Sequence, residues 1–150
     1  MHDVNAIAEL AEFPVVTTLP IQWGDQDAFG HVNNTVPIRW FESSRIDYLQ
    51  RTGLSMLHPE DGLGPILASV TCHYRRQQLF PDNVHIGARV TRIGRSSLTV
   101  THGVYSETRR EIAVEGETVL VVFDYGAQRP VRVPDAIRDA IGQLEGREID

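Results

Sequence analysis

One helical stretch, near Thr35 to Arg51, is followed from Ile66 to Tyr125 by strand pattern alone. This order limits the fold more than any other feature. Asn34 reads as the helix N-cap, and Asn33 as a structural cap beside it through its side chain. Pro37 falls in the first turn, where a missing N–H costs little. Gly53 suits the position just past the end. At about 1.5 Å per residue the rod is roughly 25 Å long. A helical wheel puts Ile38, Phe41, Ile46, Tyr48 and Leu49 on one face, with Trp40 opposite. Glu42 and Arg45 fall inside the apolar face. Burying one charge alone is costly, so they are expected to pair or to face a site. A structural Glu42–Arg45 pair is the preferred reading.

Val15 to Trp23 forms a strand ahead of the helix, rich in Val, Thr and Ile. A loop from His58 to Pro65 leads into a segment from Ile66 to Leu79. Pro81-Asp82-Asn83 is a turn. Val84, Ile86, Ala88 and Val90 then alternate with polar or small residues. Gly94 breaks that strand, Leu98 to Tyr105 is the next, and Glu111 to Tyr125 is the last. There Val119, Val121 and Phe123 share one face and Leu120 and Val122 the other, which predicts a strand covered on both sides. Gly126 to Pro134 is a loop, and Asp135 to Leu144 a short helix capped by Asp135. Residues 1–13 read as a tail with at most a helical turn. Strands of ten residues or more reach about 33 Å, enough to cover the rod. The expected class is α+β: a single domain over residues 1–150, with a five-stranded antiparallel sheet curled around one long central helix, plus a short C-terminal helix.

The net charge of −6 argues against a nucleic-acid binder. Cys72 is the one cysteine, so no intrachain disulfide forms, and no Cys/His cluster has zinc spacing. Neither a metal nor a cofactor is expected. No signal peptide is evident, and no run approaches the roughly 18 apolar residues that a bilayer demands. A cytoplasmic protein without membrane insertion is the reading.

Between the first strand and the helix lies Trp23-Gly24-Asp25-Gln26-Asp27-Ala28-Phe29-Gly30-His31-Val32-Asn33-Asn34. A helix N-terminus offers unpaired amides and partial positive charge. An Asp beside it can attack a carbonyl, or activate water, while the amides hold the developing oxyanion. The residues alone leave Asp27 between this role and an Asx-turn that caps Gly30 or His31, the commoner fate of a loop Asp. Asp25 reads as a turn residue. His31 orients water, touches the reacting carbonyl, or bonds to the loop backbone.

This block resembles hotdog-fold acyl-CoA thioesterases of the 4-hydroxybenzoyl-CoA thioesterase type. So do Arg39-Trp40-Phe41-Glu42-Ser43-Ser44-Arg45, Tyr74-Arg75-Arg76, Thr91 to Ser97 and Ala113-Val114-Glu115-Gly116, in the same order. The resemblance implies hydrolysis of an acyl-CoA to free acid and coenzyme A. Asp27 would be the catalytic carboxylate and the Asn34 amide the oxyanion donor, with His31 beside them. It also implies a homodimer or homotetramer with active sites between subunits. Gly30, Asn33, Glu42, Arg95 and Ser96 form the expected substrate-binding set. Arg95 and Ser96 are the best placed for coenzyme A phosphates among Arg75, Arg76, Arg92, Arg95, Ser96 and Ser97, because the planar guanidinium fork suits phosphate. A second thioesterase branch uses a Glu on this helix, which is the functional alternative for Glu42. Two positions depart from relatives: Phe29 stands where plant acyl-carrier-protein thioesterases have Asn, and Pro37 where many have an aromatic residue. Cys72, His73, His85 and His102 read as ordinary strand residues. A hotdog dehydratase and a non-catalytic acyl-CoA-binding module are the competing functions.

Overall fold

The computed structural model describes residues 4–54 and 62–150. Six strands and two helices follow in order: β1 (Val15–Pro20), α1 (Val36–Gln50), β2 (Leu63–Tyr74), β3 (Asn83–Ile93), β4 (Ser97–Ser106), β5 (Glu111–Asp124), β6 (Arg129–Pro130) and α2 (Asp135–Glu145). The main sheet runs β1-β3-β4-β5-β2, all antiparallel, and β6 is a two-residue addition to β5. Register breaks at Leu67/Ser69, Val90/Arg92 and Val104/Tyr105 mark irregularities that bend strands. The sheet curls around α1. This is the hotdog arrangement expected from the sequence.

Several boundaries differ from the sequence reading. β1 stops at Pro20, whose ring removes a ladder donor, and Trp23–Asp25 is a 3₁₀ turn instead. β2 starts at Leu63 and ends at Tyr74, leaving Arg75 to Leu79 as connection. Residues 58–61, the first half of the expected His58–Pro65 loop, lie outside the described residues. α2 follows Pro134 with no side-chain cap, so Asp135 is its first residue and not its cap. The first turn of α1 does hold Pro37. Gly53, at φ 85°, turns the chain away after the last turn.

The wheel was wrong about Trp40 and Ile38. Trp40 is buried against Ile21, Val32, Val36 and Val84, whereas Ile38 is exposed. The curl of the sheet explains this. A wrapped helix is covered over a wider arc than one lying on a flat layer. Phe41 anchors the middle of the rod. Its ring stacks on the His102 ring at 4.7 Å and 9°. It also fills the place a side chain would take at Gly116 on β5. Ser44 Oγ donates to the Ile86 carbonyl, and Thr17 Oγ1 to the Asp47 carboxylate. A second cluster, built on Tyr48, Leu49, Leu98 and Leu120, closes over α2 through Ile137 and Ile141.

Residues 4–13 are not a loose tail. Two 3₁₀ turns, Val4–Ala6 and Ala8–Leu10, carry the chain across the outer face of the sheet. Phe13 lies there on Gly87 and Gly103, under the Arg89 guanidinium. On β5, Val119, Val121 and Phe123 are half-buried, and the opposite face is fully buried.

His102 bonds through its ring nitrogens to the Gly87 carbonyl and Thr118 Oγ1. Burial, and secondarily the Arg45 charge, pushes its pKa down to about 3. In the unfolded chain the imidazole titrates at about 6.5. Between these values the unfolded state binds more protons, so His102 makes stability fall as pH drops from about 6.5 toward 3. Urea midpoints measured at pH 7 and pH 4 will show a smaller difference in His102→Gln than in the wild type.

A Cβ at Gly116 would sit 2.3 Å from the Thr71 carbonyl and 2.6 Å from the Phe41 ring, whereas one at Gly24 meets nothing within 4 Å. Gly116→Ala will therefore destabilise the chain by about 1–3 kcal/mol in urea unfolding. Gly24→Ala will stay within about 0.5 kcal/mol of wild type.

Candidate functional site

The loop from Ile21 to Thr35 is tied at almost every residue. Gln22 N donates to the Asp25 carboxylate, and the Asp25 carbonyl accepts from Asn33 N. Asp25 is the turn residue the sequence suggested. Gln26 and Val32 form a bridge, and Asp27 N donates to the His31 carbonyl at 3.0 Å. The Asp27 carbonyl accepts from Gly30 N, where Gly30 takes φ 84°. Only glycine adopts that conformation without strain. Val32 N donates to the Gln78 carbonyl, which fastens the loop to the stretch after β2.

Helix entry differs from the sequence reading in one respect. Asn34 does not cap α1. Thr35, in helical geometry, stands at the N-cap position without a side-chain bond of its own to the helix. Asn33 supports that position, as its capping reading expected, with Oδ1 accepting from both Thr35 N and Thr35 Oγ1 at 2.9 Å, while its carbonyl takes Val36 N.

A cleft of about 230 Å³ opens beside this helix entry, lined by His31, Asn34, Tyr74, Arg75, Arg76 and Gln78 among others. The Asn34 N–H has no hydrogen-bond acceptor among the described residues. The Asn34 carbonyl accepts from the Tyr74 hydroxyl. His31 Nδ1 lies 3.3 Å from the Val32 carbonyl, an arrangement that makes Nδ1 the donor and leaves Nε2 as an acceptor.

Asp27 and Gly30 border a second cleft, with Trp23, Gly24, Gln26 and Ala28. Asp27 Oδ1 accepts from Phe29 N at 2.9 Å, the Asx-turn geometry weighed above, though at Phe29 and not at Gly30 or His31. Oδ2 carries no hydrogen bond among the described residues. The structure thus joins His31 and Asn34 in one cleft and sets Asp27 in the neighbouring one, linked to His31 by backbone.

Glu42 is exposed and lies 3.5 Å from Arg45, which is buried. Desolvation lowers the Arg45 pKa, and Glu42 opposes that shift. The ion pair forms, with Glu42 outside the apolar face where the wheel placed it, and neither residue lines either cleft. Arg95 and Ser96 form the turn between β3 and β4, at the opposite end of the sheet from Asn34. Arg95 offers its carbonyl to Val133 N and Arg138. Arg75 and Arg76 do reach the first cleft, each paired with a glutamate of β5, Glu115 and Glu111. Cys72 is half-buried, and burial pushes its thiol pKa up, so it is not an activated nucleophile. His85 is buried between Thr18 and Glu107. Among the described residues, no three His, Cys, Asp or Glu side chains converge as metal ligands.

Sequence reasoning gave Tyr74 no place in the site, although Tyr74-Arg75-Arg76 is one of the resembling blocks, and it missed Gln78. The contacts of both depend on where the chain at and after the end of β2 meets the loop, which only the register fixes.

A curled sheet around one helix, with a free amide in a cleft at the helix entry, defines a hotdog protein. Residues 21–141 match the Thioesterase-like superfamily, and the chain belongs to it. It is similar to a thioesterase from Thermus thermophilus crystallised with coenzyme A and zinc: 37% identity over 92% of this chain and 98% of that one, TM-score 0.80. The Bacillus subtilis protein YsmA is 29% identical over 86% of each chain. A thioesterase superfamily structure from a Jannaschia species shares the fold at TM-score 0.88, covering 98% of this chain and 92% of its own, with 24% identity.

Substitution of Asn33 by Ala removes the acceptor for two donors at the start of α1. Asn33→Ala will cost about 1 kcal/mol in thermal or urea unfolding, and Asn34→Ala, whose side chain makes no bond among the described residues, will cost far less.

Proposed function

We propose that this protein hydrolyses an acyl-CoA thioester to the free acid and coenzyme A. The observation that carries the reading is the Asn34 N–H, unpartnered among the described residues, on a residue that lines a cleft at the entry of a fifteen-residue helix. The thioester oxygen binds there, where the amide and the helix end favour growing negative charge. Asp27 borders the adjoining cleft, and in this reading its free Oδ2 reaches across to the carbonyl held at Asn34 and supplies the carboxylate. In one route it takes a proton from water, hydroxide adds to the carbonyl carbon, and the C–S bond breaks as the thiolate leaves. In the other it attacks the carbon directly and expels the thiolate. Water then opens the mixed anhydride. His31 orients the water through Nε2.

The cleft of about 230 Å³ is smaller than the roughly 300–1,000 Å³ of typical small-molecule sites. Coenzyme A is a long ligand, so we propose that a second copy of the chain completes the site, in a homodimer or homotetramer. Arg75 and Arg76 then meet the phosphates from one protomer, and Arg95 and Ser96 from another. Gly30 and Asn33 shape the passage to the carbonyl. Glu42 acts through Arg45 on the helix and not on substrate.

His31 also favours a second reading, dehydration or hydration of an acyl-CoA with Nε2 as base. Crotonyl-CoA separates the two: thiol release means hydrolysis, and loss of enoyl absorbance without thiol means hydration.

Asp27→Asn will fold and assemble as wild type but lose at least about 100-fold in kcat, the scale of a lost catalytic electrostatic or proton-transfer partner. A thiol-reagent assay over a panel of acyl-CoA esters measures this. Turnover near wild type in that variant would remove Asp27 from the mechanism.

A further inference from the structure

Asn34 stands between two peptide planes, the first held by one hydrogen bond and the second by two. On its N-terminal side the Asn33 carbonyl accepts from Val36 N at 3.0 Å. That bond turns the carbonyl toward the helix and the Asn34 N–H away from it. On its C-terminal side the Asn34 carbonyl accepts from the Tyr74 hydroxyl, its one partner among the described residues. Thr35 N is taken by Asn33 Oδ1, outside the helical ladder. Without Tyr74, the second plane keeps only the Asn33 Oδ1 bond to Thr35 N, and the Asn34 carbonyl has no partner among the described residues.

Tyr74 is well suited to this. It is the last residue of β2, paired with Val114 of β5. Its successors Arg75 and Arg76 both donate backbone N–H to the Ala113 carbonyl, so the end of the strand is clamped. The ring is 45% exposed and lines the cleft, so it is not a core residue. Resting on the reading that the Asn34 amide binds the thioester oxygen, we infer that Tyr74 is a positioning residue: by holding the Asn34 carbonyl, in the peptide next to the one that carries the free N–H, its hydroxyl steadies that amide for the developing oxyanion. Tyr74 acts through Asn34 and does not exchange a proton with substrate. Burial first, and then Cys72, pushes the phenol pKa up to about 12. The hydroxyl thus remains a donor throughout any practical assay range.

The test uses Tyr74→Phe in the full chain with the best substrate of the acyl-CoA panel. The expected result is a kcat lower by roughly three- to tenfold, the scale of one hydrogen bond. KM stays within about twofold, and the pH profile matches wild type. A trifluoromethyl ketone analogue of the acyl-CoA, bound as an oxyanion-like adduct, weakens by the same factor. The matching thioether, which has no carbonyl to polarise, binds unchanged. A purely structural role would move both ligands or neither. Unchanged kcat in Tyr74→Phe, or a lost limb of the pH profile, overturns the positioning role while the hydrolase reading survives. A wild type that releases no thiol from any ester overturns both.

Discussion

The seat of Phe41 is the contact on which the rest of the molecule depends. Its ring is fully buried, lies flat on His102, and occupies the space that Gly116 leaves open. Dispersion gains from one such contact are small per atom pair and large in sum. Their geometric effect matters more. The helix is sunk to one depth in the curl, and its entry comes up at the end of β2. A larger residue at position 116 would lift the rod, and the free amide of Asn34 with it. Site geometry is thus set by packing two turns away from the site.

A neutral imidazole suits this seat because a charged one would be stranded. His102 is surrounded by the sheet, the Phe41 ring and the nearby Arg45 cation. Its two hydrogen bonds satisfy both nitrogens without a proton to spare. Burying an imidazole here gains a flat stacking partner and two cross-strand ties, which a leucine would not supply.

Much of this was readable from the residues. The long helix, the strand series, their antiparallel order and the Glu42–Arg45 pair follow from periodicity and from the cost of a lone buried charge. Trp40 and Ile38 were misplaced because a wheel assumes one buried side, and a wrapped helix has more than one. The side-chain support of the helix entry by Asn33 was legible, but the N-cap position falls on Thr35 and not on Asn34. The site contacts of Tyr74 and Gln78 were not legible, because they cross some forty residues of chain and depend on strand register. Local chemistry reads well from sequence, and long-range register does not.

Phe13 lies flat on the outer face only because Gly87 and Gly103 present bare backbone to it. The ring works as a lid over two strands whose glycines bring no side chain of their own to shield that spot. Stripped of its first residues, the sheet would show water a shallow trough of peptide groups flanked by Arg89 and Ile112. The opening residues therefore supply the apolar cover that these two glycines lack.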